Sequence, residues 1–193
     1  MQAVRGMLLP VPTVFEEDGR IDIKLMEELV DYYVDSGVNA LFVGGSFGQG
    51  PAMSVEERKQ LADVVVKRAN HRLPVIVHAG TADPFTTIDL GRHCLKAGAD
   101  GLAFVGPYYY ADHTPDEVRE HFRMVGRELK APMMLYNNPP RTSVNVLPGT
   151  LVRCASSFSN LLGPRIACRS AVSTVTRSAI PSAIFIAAER SDE

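Results

Sequence analysis

The chain of 193 residues has no tryptophan and only three cysteines, Cys94, Cys154 and Cys168. The cysteines are odd in number and widely spaced, and no two of them form a CxxC pair. Disulfide frameworks in small secreted proteins use an even number of cysteines, and structural zinc sites use closely paired ones. We therefore expect neither a disulfide framework nor a zinc site, and we interpret the three cysteines as reduced thiols.

A strong charge of either sign is also missing, as is any long apolar run. The net charge is −2, which gives no indication of nucleic-acid binding, and 46% of the residues are hydrophobic, as in an ordinary soluble domain. The apolar runs are far shorter than the roughly 18 residues that indicate a membrane-spanning helix. Residues 1–10 lack the apolar core and cleavage pattern of a signal peptide. We expect a cytoplasmic protein with no membrane anchor.

Short β-rich runs alternate with helical patterns from Met7 to about Gly163. The predicted strands cover 7–14, 38–43, 74–79, 100–104, 132–136 and 160–163, and the predicted helices cover 22–36, 54–70, 84–97, 115–129 and 147–155. This alternation is typical of repeated βα units around a parallel sheet. It predicts an α/β fold, a (β/α)8 barrel of which only about six units are present, since the complete barrel takes about 250 residues.

Boundary residues support this assignment of helices. Ser54 and Glu57 form a capping-box pattern at the start of one predicted helix. Gly37 and Gly98 each follow a predicted helix and precede a strand, where a left-handed residue commonly ends the helix. The predicted helices therefore have recognisable starts and stops.

The composition changes after Gly163. Residues 164–193 contain no glycine, no leucine and no lysine, so the turn glycines of the α/β pattern stop. We divide the chain into a partial barrel domain, 1–163, and an atypical tail, 164–193. The tail is interpreted as a segment from another reading frame or as unrelated sequence joined to the domain. The alternative is a chance fluctuation of amino-acid composition in a short segment.

The second predicted strand leads into a glycine-rich loop, Gly44–Gly50, which reads GGSFGQG. Its glycine spacing is neither that of a P-loop nor that of the dinucleotide fingerprint. One interpretation is a tight strand-to-helix turn. The other is a carboxylate site that uses backbone N–H groups and the Ser46 hydroxyl.

Two further loops carry side chains suited to an anionic carbonyl compound. Tyr108, Tyr109 and Tyr110 cannot all face a core, so at least one phenol is directed to a loop, a partner subunit or a site. Tyr136 ends the fifth predicted strand, and Arg141 follows it and could grip a carboxylate bidentately. The alternatives are a surface aromatic cluster for the tyrosines, and a helix cap or a surface ion pair for Arg141. In a barrel these loops and the Gly44–Gly50 loop converge on one mouth.

Three segments in register carry a resemblance to a known family: GGSFGQGPAMSVEER at 44–58, GPYY at 106–109 and LYNNPPRT at 135–142. They resemble the dihydrodipicolinate synthase / N-acetylneuraminate lyase family, and the resemblance covers about residues 7–163. It implies a (β/α)8 barrel that is usually a homotetramer. It also implies an aldolase or lyase that binds pyruvate or a related 2-oxo acid as an imine with a lysine and needs no other cofactor.

The resemblance also implies roles for individual residues. Ser46 corresponds to the hydroxyl that binds the 2-oxo acid carboxylate, and Phe47 stands where a threonine is usual and keeps only a backbone N–H for that purpose. Tyr136 corresponds to the tyrosine that moves protons at the carbonyl oxygen. Tyr109 corresponds to the tyrosine lent by a neighbouring subunit, and Arg141 to an arginine for a second carboxylate.

The lysine of the family is absent, and Arg165 occupies its place after Gly163. Arginine stays protonated and forms no imine. The chain has five lysines, and we expect none of them in the barrel mouth: Lys24, Lys59, Lys67, Lys96 and Lys130. His78 could line the mouth or simply pack within the fold.

The leading hypothesis is therefore a Schiff-base aldolase or lyase scaffold for pyruvate or a related 2-oxo acid, impaired in this copy. The alternatives are a catalytically inactive 2-oxo acid binder and a truncated fragment without function. Because Phe47 and Gln49 depart from the family pattern, the sequence does not name the second substrate.

Overall fold

The computed structural model describes residues 6–110, 112–157 and 161–166. Within this part, six parallel strands form one sheet in sequence order, each paired with the next. The strands are β1 Leu8–Pro10, β2 Ala40–Val43, β3 Val75–His78, β4 Gly101–Val105, β5 Met133–Asn137 and β6 Leu161–Ile166. The sheet has the strand order of a (β/α)8 barrel that contains six of its units, which confirms the predicted fold class.

Helices cover the outer side of the sheet. They are α1 Ile23–Asp35, α2 Val55–Ala69, α3 Pro84–Ala97, α4 Pro115–Glu128, α5 Pro139–Thr142 and α6 Pro148–Ser157. Neighbours in sequence pack against each other from α1 to α4, and α4 packs against α6. The four-residue α5 is a local turn of helix between β5 and the outer layer, and five helices thus supply that layer in the described part.

Both faces of the strands are buried, which explains why the strands read as continuous apolar runs. Side chains alternate between the two faces: along β5, Met133 and Leu135 face the helices, whereas Met134 and Tyr136 face the barrel interior. The interior residues form one inner cluster of Leu8, Ala40, Phe42, Ile76, Ala103, Val105, Met134 and Tyr136. The site described below rests on this inner cluster.

The helix-boundary predictions are confirmed. The Ser54 hydroxyl accepts from the Glu57 N–H at 3.2 Å, and the Glu57 carboxylate accepts from the Ser54 N–H at 2.7 Å. This reciprocal pair lowers the pKa of Glu57. Gly37 and Gly98 have φ angles of 76° and 103°, the left-handed conformation that glycine adopts without strain.

The strands β1 and β6 differ from their predicted bounds, and a proline lies at each place. The first strand was predicted to reach residue 14 but ends at Pro10. The Val11 N–H still donates to the Phe42 carbonyl at 2.9 Å, and Pro12 then has no N–H to continue the ladder. The sixth strand runs past its predicted end at residue 163 to Ile166. Pro164 is tolerated there because β6 is an edge strand in the described sheet.

The thiols that the structure describes are free and buried, in agreement with the prediction of reduced cysteines. These are Cys94 and Cys154, whereas Cys168 lies outside the described residues. Burial raises the pKa of Cys94 to about 12, so this thiol is not a reactive nucleophile near neutral pH. Its role is packing between α3 and the sheet.

We predict that the purified chain associates or requires a partner. In the described sheet, β1 and β6 each pair with one strand only, which leaves two rows of backbone groups for other partners. Large apolar side chains are also exposed, among them Met7 before β1 and Leu25 and Tyr32 on α1. Light scattering at micromolar concentration should show large species. A stable monomer with a cooperative thermal transition would contradict this, and a chain with an eight-unit barrel should be a soluble oligomer.

We predict a loss of stability in mild acid from His121 on α4. Burial lowers the pKa of His121 from 6.5 to about 4, while Asp83 raises it and His113 lowers it. The unfolded chain therefore binds this proton at a higher pH than the folded chain does. Stability falls as the pH drops from 6.5 towards 4, by about 2 kcal/mol between pH 7 and pH 5.

Thermal midpoints at these two pH values measure this effect. His121→Leu replaces the titratable ring with an apolar side chain of similar size. It should remove most of the difference in stability between pH 7 and pH 5. The matched control is His71→Asn, because His71 is exposed and lies in a left-handed turn that asparagine accepts. An equal loss in acid for wild type and His121→Leu would show that another group is responsible.

Candidate functional site

The parallel sheet places the ends of β2, β4 and β5 on one rim, as the predicted convergence of loops requires. Ser46 lies on the loop after β2, Tyr109 on the loop after β4, and Arg141 on α5 after β5. Tyr136 lies within β5 itself. Four of the predicted site residues therefore lie at the same end of the partial barrel.

Three rings form the inner wall below this rim. The ring centroid of Tyr136 lies 5.7 Å from that of Phe42 and 5.9 Å from that of His78, and Phe42 and His78 are 6.1 Å apart. All three pairs meet edge to face, an arrangement that aromatic rings favour. The three rings hold one another in fixed orientations, and His78 is a packed residue at 2% exposure.

The Tyr136 phenol is buried and hydrogen bonded. Its oxygen accepts from Nδ2 of Asn138 at 2.8 Å, and Tyr136 is only 8% exposed. The preceding amide, Asn137, ties the segment before α6 to β5, since its Oδ1 accepts from the Val146 N–H at 3.0 Å. Two adjacent amides therefore fix the end of β5 from both sides. Both amides are visible in the sequence of this loop, but sequence reasoning predicted a role for neither of them.

The Gly44–Gly50 loop folds back on itself at the end of β2. A Cβ at Gly50 would lie 1.8 Å from the Gly44 carbonyl oxygen, and one at Gly48 would lie 2.8 Å from the Val11 carbonyl oxygen. The Thr13 hydroxyl donates to the Gly48 carbonyl at 2.6 Å and ties the loop to the segment after β1. The backbone is thus closely packed on one side.

Ser46 and Phe47 lie on the outer part of the same loop. Ser46 is half-buried, and Phe47 is 54% exposed and does not belong to either apolar cluster. Gln49 is exposed and adopts a left-handed backbone with φ of 58°. The interpretation of the loop as a tight turn is confirmed, and its use as a carboxylate site stays a prediction.

The three consecutive tyrosines separate as predicted. Tyr108 is half-buried and packs against the inner cluster, whereas Tyr109 and Tyr110 are exposed. Tyr109 is 82% exposed, has a φ of 85°, and packs its ring on Tyr110 with centroids 5.0 Å apart. The Tyr109 ring is therefore not part of the inner wall of this chain, and its backbone conformation is strained for a bulky side chain.

Arg141 is exposed on α5, and its side chain forms no ion pair with any residue that the structure describes. Only its backbone is fixed, by an N–H bond to the Asn138 carbonyl at 3.0 Å. The alternative of a surface ion pair thus finds no partner in the described part of the chain. The guanidinium stands beside the rim and remains available to an anion.

Arg165 lies on β6 in register with Tyr136 on β5. Gly163 and Pro164 are in register with Met134 and Leu135 in the same ladder. The position at which the family resemblance expects a lysine is therefore the strand neighbour of Tyr136. An arginine is the residue that this strand supplies there.

Sequence reasoning missed the role of Arg58. This residue is in the first turn of α2 yet only 5% exposed, and burial lowers its pKa. Its Nη2 donates to the His78 carbonyl at 2.7 Å and lies 3.3 Å from Nδ1 of His78. Because a guanidinium only donates, the acceptors of these two contacts are the carbonyl oxygen and Nδ1 of His78. An arginine on a predicted surface helix gave no signal of this burial.

Two kinds of feature are absent from residues 6–110, 112–157 and 161–166. No group of three His, Cys, Asp or Glu side chains is arranged to hold a metal ion. No helix there combines the length and apolar character needed to cross a membrane.

The family model described as Dihydrodipicolinate synthetase family matches residues 3–186 of this chain. A 4-hydroxy-tetrahydrodipicolinate synthase of Chelativorans sp. (strain BNC1) is 35% identical over 161 residues, which cover 82% of this chain and 54% of that protein. The enzyme of the same name from Thermotoga neapolitana is 36% identical over 159 residues, with 82% and 53% covered. The chain spans about half the length of these relatives.

Solved structures show the same relation. Dihydrodipicolinate synthase from Aquifex aeolicus has a TM-score of 0.82 and 31% identity, over 86% of this chain and 56% of that one. YagE, a prophage protein of the dihydrodipicolinic acid synthase family from E. coli K12 in complex with pyruvate, has a TM-score of 0.83 and 32% identity, over 86% and 55%. By sequence and by fold, the chain belongs to the dihydrodipicolinate synthetase family.

Proposed function

We propose that this chain has the 2-oxo acid site of a Schiff-base aldolase or lyase but is impaired in the chemical step, because no lysine stands beside Tyr136. The YagE structure holds pyruvate, and so does the relative from Acinetobacter baumannii. These complexes support pyruvate or a related 2-oxo acid as the ligand. The second substrate is not part of the proposal.

In this proposal the Gly44–Gly50 loop binds the carboxylate of the 2-oxo acid. The Ser46 hydroxyl and the backbone N–H of Phe47 are the donors, at the end of a parallel strand where oxygen ligands are commonly held. The half-buried position of Ser46 supports this role. Phe47 contributes its backbone only, because its ring offers no hydrogen bond.

Tyr136 is proposed to move protons at the carbonyl oxygen of the bound acid. A proton-transferring group needs a fixed position and a hydrogen-bonded oxygen. The burial of Tyr136, its contacts with Phe42 and His78, and the 2.8 Å bond from Asn138 support this role.

Tyr109 and Arg141 complete the proposed site. The exposed ring of Tyr109 supports a role in the site of a second copy, and the chain is therefore proposed to act as a homo-oligomer. Its proposed location is the cytoplasm. The guanidinium of Arg141 is exposed and forms no ion pair with the described residues, which supports binding of a second carboxylate.

The proposed impairment rests on a single observation, the placement of the lysines. Carbon–carbon bond chemistry next to a ketone needs an electron sink, and an amine supplies it as a protonated imine. All five lysines of the sequence lie in the described part, on outer helices or directly before β5: Lys24, Lys59, Lys67, Lys96 and Lys130. None belongs to the inner cluster, and the register neighbour of Tyr136 is Arg165.

The division of the chain at residue 163 stays a prediction. The absence of glycine, leucine and lysine from 164–193 supports a segment of different origin. The family match runs on to residue 186, and β6 continues to Ile166. Sequencing of the gene and its transcript across codon 163 should reveal a frame change there. An uninterrupted frame, translated as written, would count decisively against the division.

We predict that pyruvate followed by borohydride adds no mass to this chain. Borohydride reduces an imine to a permanent amine adduct, and the chain has no lysine at the inner wall to form one. Intact-protein mass spectrometry measures the result, and a family member with a lysine in the place of Arg165 serves as the positive control. A stoichiometric adduct at any lysine would overturn the proposed impairment.

Two further measurements separate the proposed function from its alternatives. Arg165→Lys should still give no adduct, because Pro164 has no N–H for the ladder beside it and residues 164–193 depart from the composition of the barrel units. Saturation-transfer NMR should show that pyruvate binds and that Ser46→Ala weakens this binding. The control Ser36→Ala changes the C-cap of α1 and should leave pyruvate binding unchanged. Binding without an adduct supports the inactive 2-oxo acid binder, and the absence of both supports a fragment without function.

A further inference from the structure

The two amides that follow Tyr136 make different contacts. Asn137 uses both ends of its amide on the segment before α6, where Nδ2 donates to Oδ1 of Asn145 at 3.0 Å and Oδ1 accepts from Val146. Asn138 turns back to Tyr136, and its Nδ2 lies 2.8 Å from the phenolic oxygen. The proposed function uses the bond from Asn138 as support for the role of Tyr136 but gives neither amide a role of its own.

The position of Asn138 in the chain explains why its side chain is free to reach the tyrosine. Asn138 is the N-cap of α5, where an asparagine side chain usually accepts from the N–H two or three residues later. The first two residues of α5 are Pro139 and Pro140, which have no N–H, and the Arg141 N–H already donates to the Asn138 carbonyl at 3.0 Å. The side chain accordingly forms no capping bond.

The surroundings make this contact consequential for the phenol. Asn138 is 9% exposed and Tyr136 is 8% exposed, so water does not compete freely for the bond. The amide N–H can only donate, and the phenolic oxygen therefore accepts and keeps its own proton out of the bond.

We propose that Asn138 is the positioning residue for Tyr136. It holds the phenolic oxygen through Nδ2 and thereby fixes where Tyr136 meets a bound 2-oxo acid. This second part rests on the proposed function, whereas the contact between the two residues does not. The rigid turn of Pro139 and Pro140 keeps the amide in this orientation.

The Cζ resonance of Tyr136 reports the hydrogen bond directly. It is observed by magic-angle-spinning NMR on the full chain with 13Cζ-labelled tyrosine, so association of the chain does not interfere, and Tyr136→Phe assigns it. Asn138→Leu removes the donor and should move this resonance downfield. Asn138→Asp replaces the donor with an acceptor and should move it further downfield, because the phenol then donates to a carboxylate.

The matched control is Asn145→Ala, which breaks the bond of the neighbouring amide, Asn137, but should leave the Tyr136 resonance in place. The resonances of Tyr32 and Tyr33 on α1 show whether each variant keeps its fold. An unchanged Tyr136 resonance in Asn138→Leu would overturn the proposal. An upfield shift would overturn it too, since the amide oxygen would then have been accepting the phenolic proton.

Pyruvate titrations distinguish this inference from the proposed function. Asn138→Leu should weaken pyruvate binding about fivefold, the loss expected for one positioned hydrogen bond, and Asn145→Ala should not. Equal affinities in both variants, with the shifted Tyr136 resonance, would overturn the positioning role while the 2-oxo acid site stands. Absence of pyruvate binding in wild type would overturn the proposed function, and the spectra without ligand would still decide how Asn138 contacts Tyr136.

Discussion

The parallel pairing of the six strands is the constraint on which the rest of this structure depends. Because all strands run in one direction, β2, β4 and β5 end on the same rim, and residues far apart in sequence become neighbours there. The alternation of side chains then decides which of them face inward. Tyr136 and Phe42 share the inner cluster for this reason, and a shift of register by one residue would turn Tyr136 towards the helices.

The bond between Arg58 and His78 joins the helical layer to this rim. A guanidinium buried to 5% exposure, with no carboxylate partner among the described residues, needs strong acceptors, and it finds the carbonyl and Nδ1 of His78. The last residue of β3 is thereby tied to the first turn of α2. The same contact fixes the orientation of the His78 ring, which in turn supports Tyr136.

The alternation of strands and helices, the capping box at Ser54 and the placement of at least one of the three consecutive tyrosines outside the core could be predicted, because each depends on local pattern. The sequence did not reveal the early end of β1, since hydrophobic periodicity does not register the missing N–H of Pro12. The burial of Arg58 and the bond from Asn138 to Tyr136 could not be predicted either. The burial of Arg58 depends on α2 and β3 coming together, and the residue type alone favours a surface cation. Asn138 is only two residues from Tyr136, but its residue type and its place before α5 favour a helix cap.

The crowded backbone of the glycine-rich loop limits how this rim can diverge. Positions 48 and 50 have no room for a side chain, because the Val11 and Gly44 carbonyl oxygens occupy the space. Positions 47 and 49 are exposed and hold Phe47 and Gln49, the residues that depart from the family pattern. Variation is thus confined to alternate residues. A substitution at position 47 or 49 can therefore alter the chemistry of the loop surface while the course of the backbone is retained.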